Sequence, residues 1–185
     1  MAFEWARGVV TATDRSRAIL HKAAIPPGEA LLAILDGAST PQLPVRLFRD
    51  EPESACLLGE TPAPDLAWTA PYLARIEPPS PFVSWVLGDG WGHHWGVYLT
   101  SKAPFAALVT HFRGLLQARL PSGKEVFFRF FDPRVLAEFL PTCDDGQVET
   151  LFGPVTQFLF EGRDGRDLVR FRKGPAPLAP QTEAL

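Results

Sequence analysis

Apolar residues recur along this chain at two spacings, and proline or glycine separates nearly every block. Over 14–24, DRSRAILHKAA, residues Ile19, Leu20, Ala23 and Ala24 share one side and Asp14 stands at an N-cap position, which predicts a first helix. IPPGE at 25–29 stops it. ALLAIL at 30–35 is continuously apolar and predicts a strand covered on both faces. VRLF at 45–48, ACLLG at 55–59, APYLARIE at 70–77 and GHHWGVYLTS at 92–101 predict further strands. Between the last two, Ser80 caps a short helix that begins at Pro81.

The strongest helical signal runs from Pro104 to Ala118, where Phe105, Leu108, Val109, Phe112, Leu115 and Leu116 return every three or four residues, with Ser101 as cap. A turn at 121–125 leads into VFFRFFDPRVLAEFL, residues 126–140. Its first half predicts a strand that is apolar on both faces except at Arg129. Its second half predicts a helix capped by Asp132, with Pro133 in the first turn and Val135, Leu136, Phe139 and Leu140 buried. Asp144 and Asp145 beside Gly146 predict a solvated turn. PVTQFLFE at 154–161 and RDLVRFRK at 166–173 flank GRDG and predict a β-hairpin.

Strands alternating with helices give an α/β fold: a layered mixed sheet flanked by helices, with a C-terminal β-hairpin. The organisation expected is a helical lead-in over 1–27, one domain over 28–173 and a disordered tail over 174–185, where GPAPLAPQTEAL has little to bury. At 185 residues and 46% hydrophobic, the chain is long enough for one sizeable core and short for two. A net charge of −3 argues against nucleic acid as a partner, because a phosphate-backbone binder carries a basic face. Neither a signal-peptide pattern nor a membrane-length apolar run is present, so the cytoplasm is the expected compartment and no membrane partner is expected. Cys56 and Cys143 read as reduced, structural thiols.

Few motifs in the chain carry chemistry. There is no G-x-S-x-G elbow and no P-loop, and GDGWGHHWG at 88–96 precedes a strand, whereas a dinucleotide fingerprint follows one. Its bland reading is a turn that lets Trp91 and Trp95 pack. On a strand, His93 and His94 point to opposite faces and make a poor metal pair, and neither cysteine stands at ligand spacing from a histidine. No catalytic residue, cofactor or metal is therefore expected. One constellation stands out. If the strands ending at Leu35, Leu99 and Phe131 run parallel, Asp36, Ser101 and Asp132 share a carboxyl edge with Arg129 nearby, where open α/β sheets bind ligands. The structural reading of the same residues makes Asp132 and Ser101 helix caps, and Arg129 a buried arginine paired with an acid such as Asp36. Among the five tryptophans, Trp68 and Trp91 are the candidates for a partner surface.

LLAILDGA at 31–38, APYLARIE at 70–77, WGHHWGVYLTS at 91–101, LVTHFRGLLQARLPSG at 108–123, VFFRFFDPRVLAEFL at 126–140 and LFGPV at 151–155 occur in this order. Together they resemble the adaptor or effector-chaperone domain of bacterial type VI secretion systems. The resemblance implies a non-enzymatic protein that binds a toxic effector in the cytoplasm. It also implies help in loading that effector onto a spike protein of the valine–glycine repeat type. The family's hallmark positions map onto Asp36, Pro71, Tyr72, Trp95, Gly96, Arg129, Asp132 and Pro133, which read as fold-defining. Recognition of the effector is left to the hairpin, the tail or the proline-rich loops at 38–69. Two alternatives stand beside this one: a small-molecule-binding enzyme using Asp36, Arg129 and Asp132, and an immunity-type protein that neutralises a toxin.

Overall fold

A computed structural model describes residues 12–40, 42–119 and 122–185. Residues 1–11 of the expected lead-in lie outside the described residues, as do Leu120 and, at the start of the expected turn, Pro121. Helix α1 (Ala12–Ala23) leads into β1 (Ala30–Asp36), α2 (Leu43–Asp50), β2 (Ser54–Cys56), α3 (Pro64–Thr69), β3 (Pro71–Arg75), α4 (Pro81–Gly88) and β4 (Gly96–Ser101). Then come α5 (Phe105–Leu115), β5 (Gln117–Arg119), β6 (Glu125–Phe127), α6 (Pro133–Phe139) and a 3-10 turn at Leu140–Thr142. The chain continues through α7 (Asp145–Phe152), β7 (Val155–Glu161), β8 (Asp167–Arg172) and β9 (Gln181–Ala184).

Seven strands form one sheet in the order β2-β3-β1-β4-β7-β8-β9. Strand alternation divides the side chains between its two faces. Leu32, Ile34, Val97, Leu99, Phe158 and Phe160 meet Leu108, Phe112, Leu136 and Leu151 of α5, α6 and α7. Leu31, Ala33, Leu35, Tyr98 and Leu159 meet Ile19, Leu43, Phe82 and Val86 of α1, α2 and α4. Helices on both faces explain why ALLAIL is apolar without alternation. The α/β layering is therefore as the sequence indicates. Among the described residues every ladder is antiparallel, however, and the hairpin β7–β8 belongs to the main sheet, since β7 pairs with β4.

Five local expectations change. VRLF lies in a helix, α2, because Pro44 enters its first turn and Leu47 follows Leu43 on the inward side; a short apolar run does not distinguish the two states. VFFRFF is not a core strand. Only Glu125–Phe127 pair, with β5, in a separate two-stranded ribbon, and Phe130 and Phe131 reach the core from a turn. Asp144 and Asp145 open α7, where Asp144 and Gln147 complete a reciprocal capping box. His93 and His94 occupy a turn ahead of β4. The expected disordered tail contains β9, which pairs with β8, and Leu178, which is buried against the main core.

Smaller differences concern caps and stripes. Asp14 lies inside α1, in its first turn. Pro104, not Ser101, precedes α5, and Val135 is exposed on the outer side of α6. Ser80 and Asp132 cap α4 and α6 as the sequence indicates, accepting from the amides of Val83 and Arg134.

Candidate functional site

The end of the sheet where β1 and β7 finish and β3, β4 and β8 begin gathers the charged residues that the sequence singled out. Asp36 ends β1 and is buried. Its carboxylate accepts from the Ala38 amide at 3.0 Å, the Ser39 hydroxyl at 2.8 Å and Arg129 Nη2 at 2.6 Å. Asp132, also buried, caps α6 and accepts from Arg134 Nε at 2.9 Å and Nη2 at 2.7 Å. Burial pushes the Asp132 carboxyl up. The hydrogen bonds and charge of Arg134, with the charge of Arg129, more than offset this and hold it below the usual carboxylate range.

Asp36, Arg129 and Asp132 are thus brought together, but not by parallel strands. Because β4 runs antiparallel to β1, Ser101 faces Ala30 at the opposite end of the sheet. There its hydroxyl donates to Pro154 O at 2.7 Å and accepts from the Ala103 amide at 3.0 Å. Arg129 has its acidic partner in Asp36, yet its side chain is 45% exposed, not buried. Nearly isolated from regular structure, it reaches across from the turn before α6.

Sequence reasoning missed Glu161, the last residue of β7. This buried carboxylate accepts from the backbone amides of Gly92 and His94 and lies 2.6 Å from His94 Nδ1. It fixes the glycine-rich turn onto the end of β7. Only a hydrophobic strand that closes on an acid marks it in the sequence. A pocket of about 470 Å³ opens beside it, with apolar walls from Phe160, Val169 and Pro133 and charged rims from Arg134, Glu138 and Arg163.

The remaining motif residues make contacts within the fold. Trp91 is buried, donates from its indole to Gly165 O at 3.0 Å and stacks on Tyr98, so it is not the partner residue expected from the sequence. Trp95 packs on Trp85 with ring centroids 4.7 Å apart. Pro71 pairs opposite Asp36. The Tyr72 hydroxyl donates to Ala67 O at 2.8 Å, and burial, reinforced by the Cys56 thiol, pushes the phenol up to about 12. At Gly96 a Cβ would meet Ile34 O at 2.0 Å, so β1 and β4 need a glycine to approach. Pro133 fills the first turn of α6.

Trp68, by contrast, is exposed, and it has company. Nine large apolar side chains are exposed among the described residues, and five of them, Val45, Phe48, Leu58, Leu66 and Trp68, belong to α2, α3 and the stretch between. Phe48 is the extreme at 85%. Among the described residues there is no cluster of three or more His, Cys, Asp or Glu suited to a metal ion, and no helix is long and apolar enough to cross a membrane.

A sequence model for a family described as a domain of unknown function, DUF4123, matches residues 31–150. That span holds Asp36, Arg129, Asp132 and the α2–α3 face, and stops before β7. No curated protein and no solved structure matches the chain.

Proposed function

The chain belongs to the DUF4123 family, a domain of unknown function, and from there we propose that it is a non-enzymatic adaptor. It binds a type VI secretion effector in the cytoplasm and helps load it onto a spike protein of the valine–glycine repeat type. The ordered motifs that resemble such adaptor domains lie almost wholly within the family match. The observation that carries the reading is the set of large apolar side chains left uncovered on α2 and α3. Exposed apolar surface of this kind marks partner contacts.

The charged cluster supports the same reading. Asp36 and Asp132 each accept three hydrogen bonds from donors of their own chain, and both arginines are held in ion pairs. An acid–base or nucleophilic role needs a carboxylate that faces substrate. Here Asp36 ties two turns to the end of β1, and Asp132 holds the first turn of α6.

Co-expression of the tagged chain with the effector and spike encoded beside it tests the proposal. A complex that survives size-exclusion chromatography is expected. Recovery of the chain alone, with neither protein bound, would overturn it.

A further inference from the structure

We propose that the outer face of α2 and α3 is the docking surface, and that its occupant is an apolar segment of the partner protein flanked by lysine or arginine. The inference rests on the adaptor reading and adds to it the surface and the chemistry of the segment bound.

Three observations lead there. First, α2 is two-sided: Leu43 and Leu47 turn toward the sheet, while Val45 and Phe48, three residues apart, share the outer side at 52% and 85% exposure. Second, α3 packs against α2 and buries none of its own side chains, leaving Leu66 and Trp68 each 49% exposed. Tyr72 holds the α3 backbone at Ala67 O, so these residues stand on a fixed support. Trp is among the residue types that most often anchor interfaces.

Third, the stretch that carries them has a net negative charge. Residues 42–69 contain Asp50, Glu51, Glu53, Glu60 and Asp65 against Arg46 and Arg49. Five acids less two bases gives −3, the formal charge of the whole chain, so the rest of the protein is neutral on balance. Both arginines are engaged, with Arg49 held at 2.7 Å from Asp50 and Arg46 over the Trp85 ring. Glu51, Glu60 and Asp65 are exposed. Apolar anchors on a stretch that also carries exposed acids fit a segment with apolar anchors and basic flanks, and disfavour an anionic membrane or an acidic partner.

Two synthetic amphipathic peptides of ~18 residues, about five helical turns, serve as probes. They share a Leu/Phe stripe; one has lysine-rich ends and its twin has glutamate-rich ends. Fluorescence anisotropy at low salt should show the lysine peptide binding at least about tenfold more tightly, with the gap closing as salt is raised. Phe48→Glu changes an exposed side chain, so it should fold normally and abolish the binding. The pair Glu60→Lys and Asp65→Lys should reverse the preference between the twins. Equal binding of the twins, unchanged binding by Phe48→Glu, Phe48-dependent binding to phosphatidylglycerol vesicles, or Phe48-dependent self-association in sedimentation would each overturn the proposal. The co-expression assay separates the two readings. A neighbour-encoded partner retained equally by the wild type and by Phe48→Glu removes this surface and leaves the adaptor. Peptide discrimination without any retained partner removes the adaptor and leaves the surface.

Discussion

Arg129 Nη2 donates to Asp36 Oδ2 at 2.6 Å and so ties the turn before α6 to the end of β1, across 93 positions of sequence. Asp36 is buried and its other donors, the Ala38 amide and the Ser39 hydroxyl, belong to the turn that follows β1. One carboxylate therefore shapes a turn and anchors a distant segment. The guanidinium stays partly in solvent, near the Phe131 ring, which limits the desolvation it suffers.

This pair should show coupling in a double-mutant cycle. Asp36→Ala leaves a part-buried turn amide and a hydroxyl without their acceptor and should cost about 1–3 kcal/mol. Arg129→Ala should cost about 1–2 kcal/mol, reduced by the exposure of the arginine. The double variant should fall short of the sum by about 1 kcal/mol, read from urea denaturation. Strict additivity would mean that the 2.6 Å contact contributes nothing to stability.

The pairing of Asp36 with Arg129 was legible in the sequence because a lone arginine in an apolar block needs an acid. Its geometry was not. The alternation of VFFRFF fits a strand, but the block divides: Phe127 is half exposed on a small ribbon while Phe130 and Phe131 enter the core from a turn. Binary pattern reports burial, and here burial is met without a ladder. Sheet direction was equally hidden, since antiparallel strands covered on both faces are as continuously apolar as parallel ones. The caps at Ser80 and Asp132 were readable because capping is local. The Glu161 carboxylate and the α2–α3 face were not, because each depends on which distant segments meet.

Gly96→Ala should be among the most damaging single-methyl additions in the chain. The new Cβ would lie 2.0 Å from the carbonyl oxygen of Ile34, a backbone atom inside the β1–β4 ladder that has no room to withdraw. A loss of about 3 kcal/mol or more, or failure to accumulate folded protein, is expected. The same change at Gly114, which meets nothing within 4 Å, should leave the thermal midpoint unharmed.

Two titrations give stability a pH dependence of known sign. The folded-state pKa of Asp132 is depressed, so its contribution is present above the unfolded value of about 3.9 and is lost as pH falls through the lower folded value. His111 is also depressed. Burial, joined by the charge of Lys173, outweighs the bond from its ring to Leu151 O. Its neutral form is favoured in the folded state, so stability should decline as pH drops below about 6.5. Urea midpoints measured from pH 7.5 downward, to about pH 3, should fall in two stages. His111→Gln should flatten the upper stage and Asp132→Asn the lower; an unchanged profile in either variant would contradict the assignment.

Removing residues 174–185 distinguishes a tail from a working part of the fold. Leu178 is buried against the main core, and β9 covers β8 through the pairs Asp167–Ala184 to Arg170–Gln181. Glu183 accepts from Arg170 Nη1 at 2.7 Å, and Arg170 is itself buried, held also by the Lys22 carbonyl. Truncation after Lys173 therefore exposes the apolar site of Leu178 and deprives a buried guanidinium of its carboxylate. The Leu178 term alone is worth about 1.5–3 kcal/mol, and Leu178→Ala in the full chain should reproduce most of that part. Glu183→Gln keeps the side chain and removes the charge, so it reports on the Arg170 part separately. A truncated chain with the urea midpoint of the full one would return the segment to the status of an unpacked tail.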